Sequence, residues 1–272
     1  MHYFDFNQKI FQIGESSSLG LMTWGLGGIG STSYRTLTAQ LADDLAARPP
    51  KSALEVAERW VDLVWPLYSA FDLTKRFQAL NAKAAHDPKD GASRTEDEEK
   101  ELSNLRSGLV LGFCIAGYVL PERKPTACAM VFDPSSTAKP APAVHDQESF
   151  SWWGVPNIVS RLVFGADHNL KAAVLNSGKW TGTPADLDAV VAGQQLVHAS
   201  LPMRDAVDYV HSSIYCTIKA MKFSNFPQVC GGPIEIAVIT TDRKFRWVRH
   251  KTWDAAIIDG EIDGRTTAFH NH

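Results

Sequence analysis

The chain has 272 residues, 44% of them apolar, with 27 Lys and Arg against 30 Asp and Glu for a formal net charge of −3. That composition belongs to an ordinary globular protein, long enough for one large domain or two small ones. The charge gives no electrostatic reason to expect nucleic acid or an anionic membrane as partner, and no apolar run approaches the ~20 residues that span a bilayer. Cys114, Cys128, Cys216 and Cys230 lie far apart without a CxxC pair, so buried free thiols are expected. The N-terminal MHYFDFNQ has neither a basic start nor a sustained apolar region, which reads as a cytoplasmic chain rather than a secreted one.

Residues 3–13 and 19–26 read as two strands, joined by the turn GESSS. The second strand runs into Gly25, Gly27, Gly28 and Gly30, then into Ser31, Thr32 and Ser33, any of which can cap the helix that follows. A strand–glycine–helix junction exposes backbone N–H groups and can bind an oxyanion or a phosphate; a tight packing turn explains it equally well. Gly25 to Gly30 also fits G-x-G-x-x-G, but the strands before it look like a hairpin rather than half of a βαβ unit, which disfavours a dinucleotide site.

From Tyr34 to Ala47, Leu37, Leu41 and Leu45 recur at helical spacing, and Arg48-Pro49-Pro50 ends the helix. A longer helix follows through Val56, Trp60, Val64 and Leu67, with Pro66 expected to kink or divide it, and Phe71 to Ala85 continues as helix. Residues 86–100, HDPKDGASRTEDEEK, read as an exposed polar loop. The apolar run Gly108 to Leu120 predicts a buried strand, and Lys124 to Asp133 its antiparallel partner. After a Ser/Pro/Ala-rich connector at 134–142 come Trp152 and Trp153, either a binding wall or core on one side and rim on the other, and then a short helix. Residues 166–182 carry little pattern, 185–201 read as a helix, and 203–223 as a stronger one with Ala206, Val210, Ile214 and Ile218 on its buried face. A hairpin turning at Thr241 to Lys244 closes the pattern, and the tail from Asp259 reads as irregular.

Two segments carry a family resemblance. Lys9-Ile10-Phe11-Gln12-Ile13, a short turn and Gly20-Leu21-Met22-Thr23-Trp24-Gly25 resemble the strand pair of proteasome β-subunits and their bacterial relatives, the N-terminal-nucleophile (Ntn) hydrolases. Cys230 to Lys251, CGGPIEIAVITTDRKFRWVRHK, resembles their closing hairpin. The resemblance implies an α+β fold, a four-layer αββα sandwich of two antiparallel sheets flanked by helices. Residues 1–272 would form a single domain with a helical insertion around 50–105. It also implies a homo-oligomer, with the bare sheet edge beside KIFQI covered by another subunit or by the C-terminal tail.

The activity implied is hydrolysis of amide or related acyl bonds in peptides or small N-acyl compounds, with lactones and esters as further substrates. Such enzymes use an N-terminal Thr, Ser or Cys whose own amine is the base, a lysine that keeps the local field positive, and a backbone N–H for the oxyanion. The catalytic lysine maps to Lys9, and the oxyanion donor to Trp24 or Gly25. The nucleophile hairpin has no counterpart before Lys9, and the residues that orient the terminal amine map to Pro227 and Cys230, neither suited to the task. A hydroxyl beside Lys9, at Ser31, Thr23 or Ser33, is then the replacement nucleophile. The alternative is a catalytically inactive assembly protein.

No G-x-S-x-G elbow, H-E-x-x-H or Walker loop occurs, and the nine histidines lack metal-ligand spacing. Asp259-Gly260-Glu261-Ile262-Asp263-Gly264 resembles the start of a calcium loop, but its twelfth position is His270. An acidic surface turn without a cofactor is the preferred reading and calcium at Asp259, Glu261 and Asp263 the alternative.

Overall fold

Strand alternation builds the molecule around a five-stranded antiparallel sheet of sequential order β1-β2-β3-β4-β5. The strands are β1 (Ile10–Gln12), β2 (Leu19–Gly25), β3 (Leu111–Gly117), β4 (Thr126–Phe132) and β5 (Ala143–His145). The computed structural model describes residues 8–15, 17–87, 89, 91–145, 150–193, 201–225 and 229–250. Register aligns Leu21 with Ile115 and Cys128, and Thr23 with Phe113 and Met130, so one face of the sheet is continuously apolar. Two helices cover that face, α1 (Tyr34–Ala47) and α2 (Ala53–Ala70), through Leu37, Leu41, Val56, Trp60 and Val64.

The opposite face carries small residues: Gly20, Gly112, Cys114, Ala116, Ala127 and Ala129. Small side chains let a second layer approach closely, and part of that layer is the hairpin of β6 (Ile236–Thr240) and β7 (Arg243–Arg249). The Phe245 N–H donates to Ser17 O at 2.9 Å, and the Phe245 ring lies 3.0 Å from where a Cβ on Gly20 would sit. This settles a mixed α/β architecture, with a five-stranded sheet, a two-stranded sheet and eight helices among the described residues. No helix among these residues is long and apolar enough to cross a membrane.

Several elements differ from the sequence expectation for identifiable reasons. Pro66 sits inside α2 without dividing it. Trp60, Val61, Val64 and Tyr68 are all buried on the same helix, and at about 1.5–3 kcal/mol each their burial exceeds the ~3 kcal/mol an interior proline costs. The polar run at 86–100 is a loop only in its first part. Its second part opens α4 (Glu96–Gly108), where Thr95 and Glu98 form a capping box and four acidic residues occupy the first turn. With α3 (Asp72–Ala82), α4 closes a small second core of Phe77, Leu80, Leu102 and Leu109. Strand β5 has three residues and is mostly exposed, so it leaves no hydrophobic signature.

Beyond the sheet lie α5 (Asn157–Phe164), α6 (His168–Asn176), α7 (Pro184–Ala192) and α8 (Met203–Lys222). Helix α6 has no buried residue, which is why 166–182 shows no pattern; it is started by its cap. The Asp167 carboxylate, 2% exposed, accepts the Leu170 N–H and the Arg161 Nε–H, both at 2.7 Å. Burial alone would raise this carboxyl, but the Leu170 N–H and the Arg161 guanidinium outweigh it and hold it below the ordinary range. Because the folded value lies below the unfolded one of about 3.9, the stabilisation is complete above that pH and is lost as pH falls through the folded value. Asp167→Asn is therefore expected to lose less stability than wild type between neutral and strongly acid pH. Urea unfolding at both pH values checks this, and parallel losses would contradict it.

Three further expectations need correcting. Strand β6 starts at Ile236 and the hairpin turns at Thr241 and Asp242, so β7 begins two residues earlier than its aromatic positions suggest. Cys216 is exposed, while Cys114 and Cys128 are buried as expected. On α8, Val210 and Ile214 are exposed, and Ser213, Thr217 and Met221 form the buried face instead. Residues 1–7, 194–200, Pro227 and the acidic turn at Asp259, Glu261 and Asp263 lie outside the described residues.

Candidate active site

The approach to β1 and the end of β2 meet where the Thr23 N–H donates to Lys9 O at 2.9 Å. Main-chain groups of an antiparallel strand point alternately to its two neighbours. The Trp24 N–H therefore points into β3, opposite Gly112, and is used in the ladder. The Leu26 N–H also points that way, reaching Val110 O at 2.9 Å. The intervening Gly25 N–H points to the β1 side, past Lys9. Of the two oxyanion-donor positions read from the sequence, the geometry leaves Gly25 and removes Trp24.

Gly25 is required by its surroundings. Its φ is +79°, and a Cβ there would lie 2.1 Å from Val110 O. Trp24 serves the site as a wall. Its indole lies across Gly112 and stacks on Trp153 with ring centroids 5.0 Å apart and planes 13° apart. His145 meets the edge of Trp153 at 5.4 Å. Of the two adjacent tryptophans, Trp153 joins this wall, while Trp152 packs with Phe150 and Phe164.

One residue of the cluster was missed in the sequence. Glu235, 9% exposed, immediately precedes β6, and its Oε2 accepts the Lys9 N–H at 3.3 Å. Its Oε1 is buried with no hydrogen-bond partner among the described residues. A lone acid between Ile234 and Ile236 was the available signal, since a carboxylate is rarely placed in an apolar strand without a purpose. The closing hairpin thus delivers a buried carboxylate to the half-buried Lys9, through a contact 226 residues apart in sequence.

The three hydroxyl candidates separate by engagement. Thr23 is buried and donates to Gly112 O at 3.2 Å. Ser33, rather than Ser31, is the cap of α1, accepting the Thr36 N–H at 3.1 Å. Ser31 is exposed in the turn closed by the Thr32 N–H to Ile29 O bond, and its hydroxyl makes no hydrogen bond within the described residues. Thiolate chemistry is disfavoured nearby: burial pushes the Cys114 thiol up to about 12 and raises Cys128 and Cys230 as well.

A dinucleotide reading of the glycine run fails on topology, because β1 and β2 are antiparallel neighbours. No group of three or more His, Cys, Asp or Glu among the described residues could hold a metal ion. A groove of about 650 Å³ opens between α5, α6 and α7, with the Lys171–Asp188 ion pair at 2.6 Å on its wall, and it shares no residue with the Lys9 cluster. Comparison with protein-family models, with curated proteins and with solved structures returned no match.

Proposed function

We propose that the Lys9, Gly25 and Glu235 end of the sheet is an acyl-transfer site. In this reading the protein hydrolyses amide or related acyl bonds within an Ntn-like four-layer sandwich. The observation that carries it is the Gly25 N–H, turned out of the β2–β3 ladder toward the side where Lys9 lies. A fixed backbone donor and a neighbouring ammonium suit the oxyanion that develops when an acyl carbon is attacked. Such a pair serves peptides, small N-acyl compounds, esters and lactones alike. Ser31 supplies the hydroxyl nucleophile in this proposal, since Thr23 and Ser33 are engaged. The second reading, an assembly protein without hydrolytic activity, draws on the exposed apolar face of α8.

The test is hydrolysis of fluorogenic peptides, N-acyl amides, esters and lactones by the whole chain, with Lys9→Ala and Ser31→Ala beside wild type. Loss of one oxyanion-stabilising group is expected to lower kcat/KM by about 10²–10³-fold, with the thermal unfolding midpoint unchanged. A folded wild type that hydrolyses none of these classes would leave the assembly reading in its place. Hydrolysis that survives in Lys9→Ala would move the site elsewhere.

A further inference from the structure

We infer that α8 is a homodimer interface, two copies pairing their α8 helices antiparallel about a two-fold axis. The helix is inverted relative to ordinary amphipathic packing. Ser213 and Thr217 face the body of the protein, with the Thr217 hydroxyl donating to Ser213 O at 2.9 Å. Its larger aliphatic residues form a different stripe, Met203, Val207, Val210, Ile214 and Ile218, spaced by three or four residues. Met203, Val210 and Ile214 are 50%, 41% and 37% exposed. Single exposed apolar residues need no explanation, but a contiguous helical stripe of them marks an interaction surface.

The charges beside the stripe select a second copy as its occupant. The N-terminal half carries Asp205 and Asp208 with Arg204, a net charge of −1, and the last turns carry Lys219 and Lys222, a net charge of +2. Parallel pairing would set the lysines against each other. Antiparallel pairing centred between Ser213 and Ile214 sets Asp208 opposite Lys219 and Asp205 opposite Lys222, and the two-fold axis repeats both pairs. The stripe then meets itself along the seam, where aliphatic residues at three- and four-residue spacing interlock. One helix is thus complementary to its own copy in both shape and charge.

Sedimentation equilibrium and light scattering on the full chain test this. Wild type is expected to be a concentration-dependent dimer, and Ile214→Asp a folded monomer. Lys219→Glu with Lys222→Glu is expected to be monomeric, because each end of the seam then brings together like charges. Adding Asp205→Lys and Asp208→Lys to the same chain should restore the dimer. Mixing the lysine-reversed chain with an aspartate-reversed chain should give a heterodimer that neither forms alone. A wild type that stays monomeric overturns the proposal, as does a dimer that persists through Ile214→Asp and the lysine reversals. Should Ile214→Asp fail to fold, the charge reversals decide the question, since they replace side chains at the helix surface.

Discussion

Replacing Trp60 with alanine is expected to cost about 3–5 kcal/mol of folding stability, the largest effect of any single core truncation. The indole is fully buried in α2, against the apolar face of the sheet. It meets Phe113 edge-on at 5.0 Å, and Phe113 in turn meets Tyr34 and Phe132 edge-on. Removing the indole leaves a cavity at the centre of this aromatic chain, and the sheet and two helices around it can collapse only partly. With a total stability of about 5–15 kcal/mol for a protein of ordinary size, most of the margin would be lost. Trp60→Phe should cost far less. The Trp60 Nε1–H is buried without a hydrogen-bond partner among the described residues, so phenylalanine removes an unsatisfied donor while giving up part of the volume. Urea unfolding of the two variants separates the contributions. Equal losses would mean that volume alone matters at this position.

Gly25→Ala is expected to cost about 2–4 kcal/mol and to remove activity together with stability. An L-residue at φ +79° incurs about 1–2 kcal/mol, and the new Cβ, 2.1 Å from Val110 O, forces the two strand ends apart. That shift breaks the bond from Leu26 N–H to Val110 O and turns the Gly25 N–H away from its present direction. Gly30→Ala is the control. Gly30 also has a positive φ, +59°, but a Cβ there meets nothing within 4 Å, so only the conformational cost of about 1–2 kcal/mol remains. The site proposed at Lys9 predicts that kcat/KM falls about 10²–10³-fold in Gly25→Ala and little in Gly30→Ala. Similar activity in both variants would show that the Gly25 N–H takes no part in the reaction.

These two positions mark how far the sequence reaches. Leu37, Leu41, Val56, Trp60 and Val64 announce their buried faces through helical spacing, and α1 and α2 fold as that spacing requires. Strands β3 and β4 are visible as apolar runs because both faces are covered. Gly25 is legible as a site where the backbone must bend or pass close to another chain segment. Each of these signals is local: a period, a cap or a glycine has its physical cause within a few residues.

What only the tertiary structure decided is direction and company. Which N–H of the Trp24–Gly25 pair faces outward depends on the β2–β3 register, a pairing across more than eighty residues. Glu235 reaches Lys9 because the closing hairpin folds back onto the opposite end of the chain, and nothing near Glu235 specifies that partner. The face of α8 was misread for the same reason. Periodicity shows that a helix has an apolar stripe, but whether the stripe meets the protein's own core depends on which layers surround the helix. The sequence by itself determined the elements and most of the core, because propensity and hydrophobic spacing act over short range. The long-range packing of a sheet, two helices and a returning hairpin decided which groups meet at the site and which surface stayed outside.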